Sequence, residues 1–134
     1  MLELPIISYL ADGYWLAGDQ TKARETAQES LELSEHCGAR HFLGRGHRLL
    51  GEIELRSKPD EAAPHFEKAI SIFQEVKAEN ELALAYSGMG RYYKQQGNME
   101  QAREYLTKAL EIFERLGTLI EPDKVRQELA DLPQ

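Results

Sequence analysis

Residues 86–109 read YSGMGRYYKQQGNMEQAREYLTKA, and their pattern decides the fold. Tyr86-x-x-Met89-Gly90-x-x-Tyr93 places bulky and small side chains three and four residues apart, which puts them on one face of a helix. Gly97-Asn98 interrupts that helix: the glycine suits the left-handed residue that ends one helix, and the asparagine suits the cap that starts the next. Ala102-x-x-x-Leu106-x-x-Ala109 then resumes helical spacing. The stretch is therefore helix, turn, helix.

Working outward, the same unit recurs twice upstream. One copy is His47-x-x-Leu50-Gly51-x-x-Glu54 followed by Ala62-x-x-x-Phe66-x-x-Ala69; the other is Ile7-x-x-Leu10-Ala11-x-x-Tyr14, then Gly18, then Ala23-x-x-x-Ala27-x-x-Ser30. Ala11, Gly51 and Gly90 are spaced by 40 and 39 residues, and Ala23, Ala62 and Ala102 by 39 and 40. Two independent markers give one period, the mark of stacked repeats.

The three units resemble the tetratricopeptide-repeat (TPR) signature of a bulky residue, a Leu-small pair and Tyr, then Ala, an aromatic or aliphatic residue and Ala. Because the common TPR period is about 34 residues, the extra length implies second helices longer by about a turn, as in the longer-period members of the family. Two positions depart from the pattern: Ala27 stands where a large residue is expected, and Glu54 replaces the Tyr. The resemblance implies an all-α solenoid in a single domain over residues 1–134, with repeats at 4–38, 39–79 and 80–118 and a C-terminal capping helix at 121–132, seven helices in all.

Each marker has a physical reason. Small residues at Ala11, Gly51, Gly90, Ala23, Ala62 and Ala102 let paired helices approach closely, while Leu10, Leu50, Met89, Phe66 and Leu106 fill the space beside them. Asp19 and Asn98 follow Gly18 and Gly97 as helix caps. Pro59 stops one helix and opens the next, where Asp60 and Glu61 favour the N-terminal dipole. These signals place helices at 4–17, 20–36, 39–57, 60–77, 80–96 and 99–116. Pro122 and Asp123 open a seventh, with Val125, Leu129 and Leu132 as its apolar stripe and Lys124, Glu128 and Asp131 on the solvated face of a terminal cap. Leu2, Leu4, Ile6 and Ile7 have no such cover. That end reads either as the continuation of a longer array or as a surface that pairs with another copy.

Composition agrees with helix: Glu, Lys, Arg, Gln and Leu dominate, and Val76 and Val125 are the only valines. The stretches Pro5–Leu10 and Leu82–Tyr86 are too short to span a bilayer, and no charged leader precedes a cleavage-like site, so a cytoplasmic protein is expected. A formal charge of −7 argues against general affinity for nucleic acid or anionic membrane. Cys37 is the only cysteine, which excludes an intrachain disulfide and suits a reducing compartment.

Catalytic patterns are weak. Gly44-x-Gly46 with Gly51 superficially resembles a phosphate loop, but no strand precedes it and the spacing is wrong, so close helix packing is the expectation. His36, Cys37 and His41 fall near one connector, where three donors in a loop are thin support for a metal. No serine sits in a recognised nucleophile motif, and the carboxylates have Lys or Arg neighbours on exposed faces. No catalytic residue, metal or cofactor is expected.

Repeat geometry makes a sharper statement. First helices line the concave face of a TPR solenoid, opposite the Leu-small stripe. Helical periodicity then selects Ser8, Tyr9, Asp12, Trp15 and Leu16; Arg45, Arg48, Leu49, Glu52 and Arg56; and Leu84, Ser87, Arg91, Lys94 and Gln95. Residues 39–57 carry Arg40, Arg45, Arg48 and Arg56 against Glu52 and Glu54, so the groove is expected to be locally basic in an acidic protein. Arginine suits bidentate recognition of carboxylates, and Trp15 with Tyr9 offers an aromatic anchor. An acidic peptide or helix is one expected occupant; the other reading is that the arginines pair with neighbouring glutamates and Trp15 packs between repeats. The function expected is a non-catalytic protein-interaction scaffold, with a peptide-sensing regulatory domain and a self-association module as alternatives. The run Gly90-Arg91-Tyr92-Tyr93, Gly97, Gln101-Ala102-Arg103, Leu106, Ala109 and Phe113-x-x-Leu116-Gly117 resembles the C-terminal TPR regions of bacterial signalling ATPases and nucleotide cyclases.

Overall fold

The computed structural model describes residues 3–117 and 121–133. They form α1 (Leu4–Leu16), α2 (Gln20–Cys37), α3 (Arg40–Ser57), α4 (Pro59–Glu75), α5 (Glu79–Gln95), α6 (Met99–Leu116) and α7 (Glu121–Ala130), with no strand among the described residues. Each helix packs on the next in chain order. In addition, α1 touches α3 and α3 touches α5, so the first helices of the three pairs make one continuous inner row.

The turn chemistry works as the residue types dictate. Gly18 and Gly97 take φ of 85° and 80°, and the Asp19 and Asn98 side chains accept hydrogen bonds from the backbone N–H groups of Lys22 and Gln101 at 3.1 and 3.2 Å. Helix α4 stops at Glu75, two residues short of the expected end, because Lys77 adopts φ 58° at the position that Gly38 and Gly117 occupy after α2 and α6. At the C-terminal end, α7 finishes at Ala130 and Leu132 still reaches the core.

Phe66 holds the second and third repeats together. The ring is fully buried, and its edge lies against Gly51 of α3 and Gly88 of α5, where a Cβ would collide with it. Phe73 covers Gly44 and Leu31 covers Gly46, so the glycine run in α3 serves close packing, as expected. The Glu54 departure also has a local explanation. Its buried carboxylate accepts from Arg24 Nε and Nη2 of α2 at 3.0 and 2.5 Å, an ion pair in place of the Tyr ring.

At the N-terminal end two expectations change. Ile7 is buried, whereas Leu10 is 38% exposed although the corresponding Leu50 and Met89 are only 1% exposed. In α3 and α5 this stripe packs on the second helix of the preceding pair; among the described residues α1 has no such neighbour. Ile6 is exposed, Leu4 is half-buried, and Leu2 lies outside the described residues.

Candidate binding groove

The inner row opens onto a groove of about 510 Å³. Helix α1 contributes Asp12, Trp15 and Leu16; α3 contributes Arg48, Leu49, Glu52 and Arg56; α5 contributes Leu84, Ser87 and Arg91; and α7 contributes Glu121, Lys124 and Glu128. The spacing of three and four residues within each set follows from the helical period. Trp15, Leu16, Leu49 and Leu84 supply apolar surface, and the rest is polar.

Several residues chosen from the sequence stand elsewhere. Ser8 and Arg45 lie in a narrow cleft between α1, α2 and α3, where Arg45 Nε donates to Ser8 Oγ at 3.2 Å. Tyr9 is outside the groove and 61% exposed, with the Arg45 guanidinium 5.1 Å from its ring centre, so it shares no anchor with Trp15. Lys94 and Gln95, one turn beyond Arg91, do not line the groove either.

The groove is charge-balanced rather than basic: Arg48, Arg56, Arg91 and Lys124 face Asp12, Glu52, Glu121 and Glu128. Arg91 bridges Glu52 of α3 and Glu128 of α7, the latter at 3.3 Å. Burial disfavours its charge, but these two carboxylates more than compensate and raise its pKa above the ordinary arginine value. Arg45 pairs with Asp12 and approaches Glu81 of α5 at 3.5 Å. Burial nevertheless holds the Asp12 carboxyl above its usual pKa, against the lowering effect of Arg45 and Arg48. Arg56 stacks on Trp15, 4.7 Å from the ring centre. Arg56 and Lys124 have no carboxylate within salt-bridge distance among the described residues.

Sequence reasoning missed Glu81 and the contribution of α7. It assigned Lys124 and Glu128 to the solvated back of the cap, whereas α7 turns them into the groove while Val125 and Leu132 pack on α6. The available signal was Arg91 itself, a cation on the inner face with Glu52 one period before it.

A polar pair also lies in the α3–α4 seam. Nδ1 of His47 and Nδ1 of His65 are 3.0 Å apart. Burial, then His65 and Lys68, hold His47 down to a pKa of about 4. Cys37 is exposed and His41 packs edge-on to Phe73; the described residues contain no group of three metal-donor side chains.

Among known families, the model described as tetratricopeptide repeat matches residues 4–75 and, overlapping, 46–115. No curated protein matches the chain.

Proposed function

The chain belongs to the tetratricopeptide-repeat family, whose repeats generally mediate protein–protein interaction, and from that premise we propose that its groove takes a peptide or short helix of a partner protein. The observation that supports this most is the placement of four apolar and nine polar residues from α1, α3, α5 and α7 around one open groove. Its internal ion pairs hold the walls in position before a ligand arrives, which lowers the ordering cost of binding. In this reading Trp15, Leu49 and Leu84 receive an apolar side chain, and an acidic side chain of the ligand meets Arg56 and Lys124, the rim cations without a carboxylate partner among the described residues.

The reading is non-catalytic and places the module in a cytoplasmic signalling protein. Support for that setting is the resemblance carried by Gly90-Arg91-Tyr92-Tyr93 and Phe113-x-x-Leu116-Gly117, together with the unpaired Cys37. No described helix is long and apolar enough to cross a membrane.

Selection from a displayed random-peptide library against the whole chain, followed by affinity measurement, tests the proposal. Selected peptides should carry an acidic residue near an apolar one, and Arg56→Glu with Lys124→Glu should weaken them about tenfold, or about 1.4 kcal/mol. Unchanged affinity for the double variant would refute the groove assignment.

A further inference from the structure

Five buried side-chain atoms capable of hydrogen bonding have no partner among the described residues: Ser30 Oγ, Arg48 Nε, Glu81 Oε2, Ser87 Oγ and Glu128 Oε1. Buried polar atoms are ordinarily paired, because each one left bare costs free energy that a partner would offset. Three of the five, Arg48 Nε, Ser87 Oγ and Glu128 Oε1, belong to side chains that line the groove. Arg48 and Ser87 lie 39 residues apart, one repeat, so they stand side by side on the adjoining helices α3 and α5. Glu128 reaches the same place from α7. Its Oε2 accepts from Arg91 Nη1 at 3.3 Å, Arg91 follows Ser87 by one turn of α5, and Oε1 is left without a donor. The Ser87 side chain is buried, yet its hydroxyl bonds to nothing in its own helix or the next.

We propose, resting on the reading that the groove takes a peptide, that these three atoms form a carboxamide subsite for an asparagine or glutamine side chain of the ligand. Their requirements are opposite: Arg48 Nε–H donates, Glu128 Oε1 accepts, and the Ser87 hydroxyl does either. A ligand carboxylate can only accept, so it leaves Glu128 Oε1 bare and sets a further negative charge beside Glu52 and Glu128. A ligand ammonium or guanidinium can only donate, so it leaves Arg48 Nε–H bare and adds a cation beside Arg48 and Arg91. An apolar side chain satisfies none of the three. A carboxamide answers all of them, its carbonyl accepting from Arg48 Nε–H and the Ser87 hydroxyl while its amino group donates to Glu128 Oε1. The surrounding charges favour a neutral group as well. Arg91 already has Glu52 and Glu128, and Arg48 has the Glu81 carboxylate at 4.0 Å. Leu84, three residues before Ser87 on α5, supplies apolar surface for the methylene groups of the entering side chain.

Peptides selected from the displayed random library against the whole chain, and synthetic variants of them, serve as the probes. Selected peptides should share an asparagine or glutamine at a fixed distance from their acidic residue. Replacing it by a near-isostere, leucine for asparagine or methionine for glutamine, should weaken binding about tenfold. A carboxylate or an ammonium at that point should weaken it at least as much. Ser87→Ala removes one arm of the subsite, so the preference for the carboxamide over its isostere should shrink several-fold in this variant. Because the Ser87 hydroxyl has no partner among the described residues, the same variant should melt no lower than the wild type. Equal affinity for carboxamide and isostere overturns the proposal and leaves the three atoms to water. A carboxylate or ammonium that binds as well as the carboxamide overturns it too, as does an undiminished preference in Ser87→Ala or a marked fall in that variant's melting temperature. In each of these cases the groove reading stands as long as Arg56→Glu with Lys124→Glu still weakens the peptide. Normal binding by that double variant refutes the groove reading itself, and the subsite with it.

Discussion

Gly51→Ala and Gly13→Ala are the same chemical change, and the structure gives them opposite signs. A Cβ at Gly51 would stand 2.8 Å from Cε1 of Phe66 and 2.9 Å from Cδ1 and Cζ, against about 3.5–4.0 Å for an ordinary carbon contact. The ring has no room to retreat, because the same edge is confined by Gly88 of α5 and Phe66 is fully buried. Overpacking of this kind costs about 1–3 kcal/mol, and confinement on both sides points to the upper half of that range. Replacing a mid-helix glycine by alanine returns about 1 kcal/mol of helix propensity, leaving a net loss of roughly 1–2 kcal/mol. At Gly13 nothing opposes the propensity gain, so Gly13→Ala should stabilise by up to about 1 kcal/mol. Urea unfolding followed by far-UV circular dichroism measures both. Combining Gly51→Ala with Phe66→Leu should remove most of the Gly51→Ala penalty, since the colliding ring atoms are gone. A Gly51→Ala protein as stable as wild type, or a penalty that survives Phe66→Leu, would refute the close-packing account.

Three other perturbations follow from the structure. Arg91→Ala leaves the partly buried Glu52 and Glu128 facing each other, so it should cost about 2–3 kcal/mol and speed amide exchange in α7 far more than in α2; uniform acceleration would contradict a specific link between α5 and α7. Lys77→Gly places glycine at the φ 58° position and should stabilise the fold by about 1 kcal/mol in thermal melts; a loss of stability would mean that the side chain makes an important contact. His47 has a folded pKa of about 4, lowered from 6.5, so the unfolded chain binds its proton first. Its contribution is complete above pH 6.5 and is lost as pH falls toward 4, by roughly 2–3 kcal/mol. Stability-versus-pH curves should flatten in this window for His47→Leu, and an unchanged slope would exclude His47 as the cause.

The helical repeat was legible because local chemistry determines it. Period, caps and left-handed glycines act within a few residues of themselves, so Gly18-Asp19 and Gly97-Asn98 could be read without knowing the fold. Contacts between elements were less legible. The choice of Asp12, Trp15, Arg48, Leu49, Glu52, Arg56, Ser87 and Arg91 relied only on helix phase, and the structure brings these together around one groove. Tyr9 was misplaced because helix phase does not say on which flank of α1 the groove ends. The charge of the groove depended on how α7 folds back, and a stripe of Val125, Leu129 and Leu132 fixes which face of α7 is buried but not where the other face points. Lys77 shows the reverse case. It was placed inside a helix at 60–77 because lysine gives no sign of a left-handed residue, and the signal passed over was its position, 39 residues after Gly38 and 40 before Gly117.

Trp15 is the only tryptophan in the chain and stands in the groove wall beneath Arg56, so its emission reports on that site alone. Titrating a library-selected peptide that lacks tryptophan into the whole chain, with binding followed independently by anisotropy of a label on the peptide, tests groove occupancy directly. The account predicts a saturable change in Trp15 emission with the same midpoint as the anisotropy. Saturation of the anisotropy with no change at Trp15 would place the peptide elsewhere and contradict it.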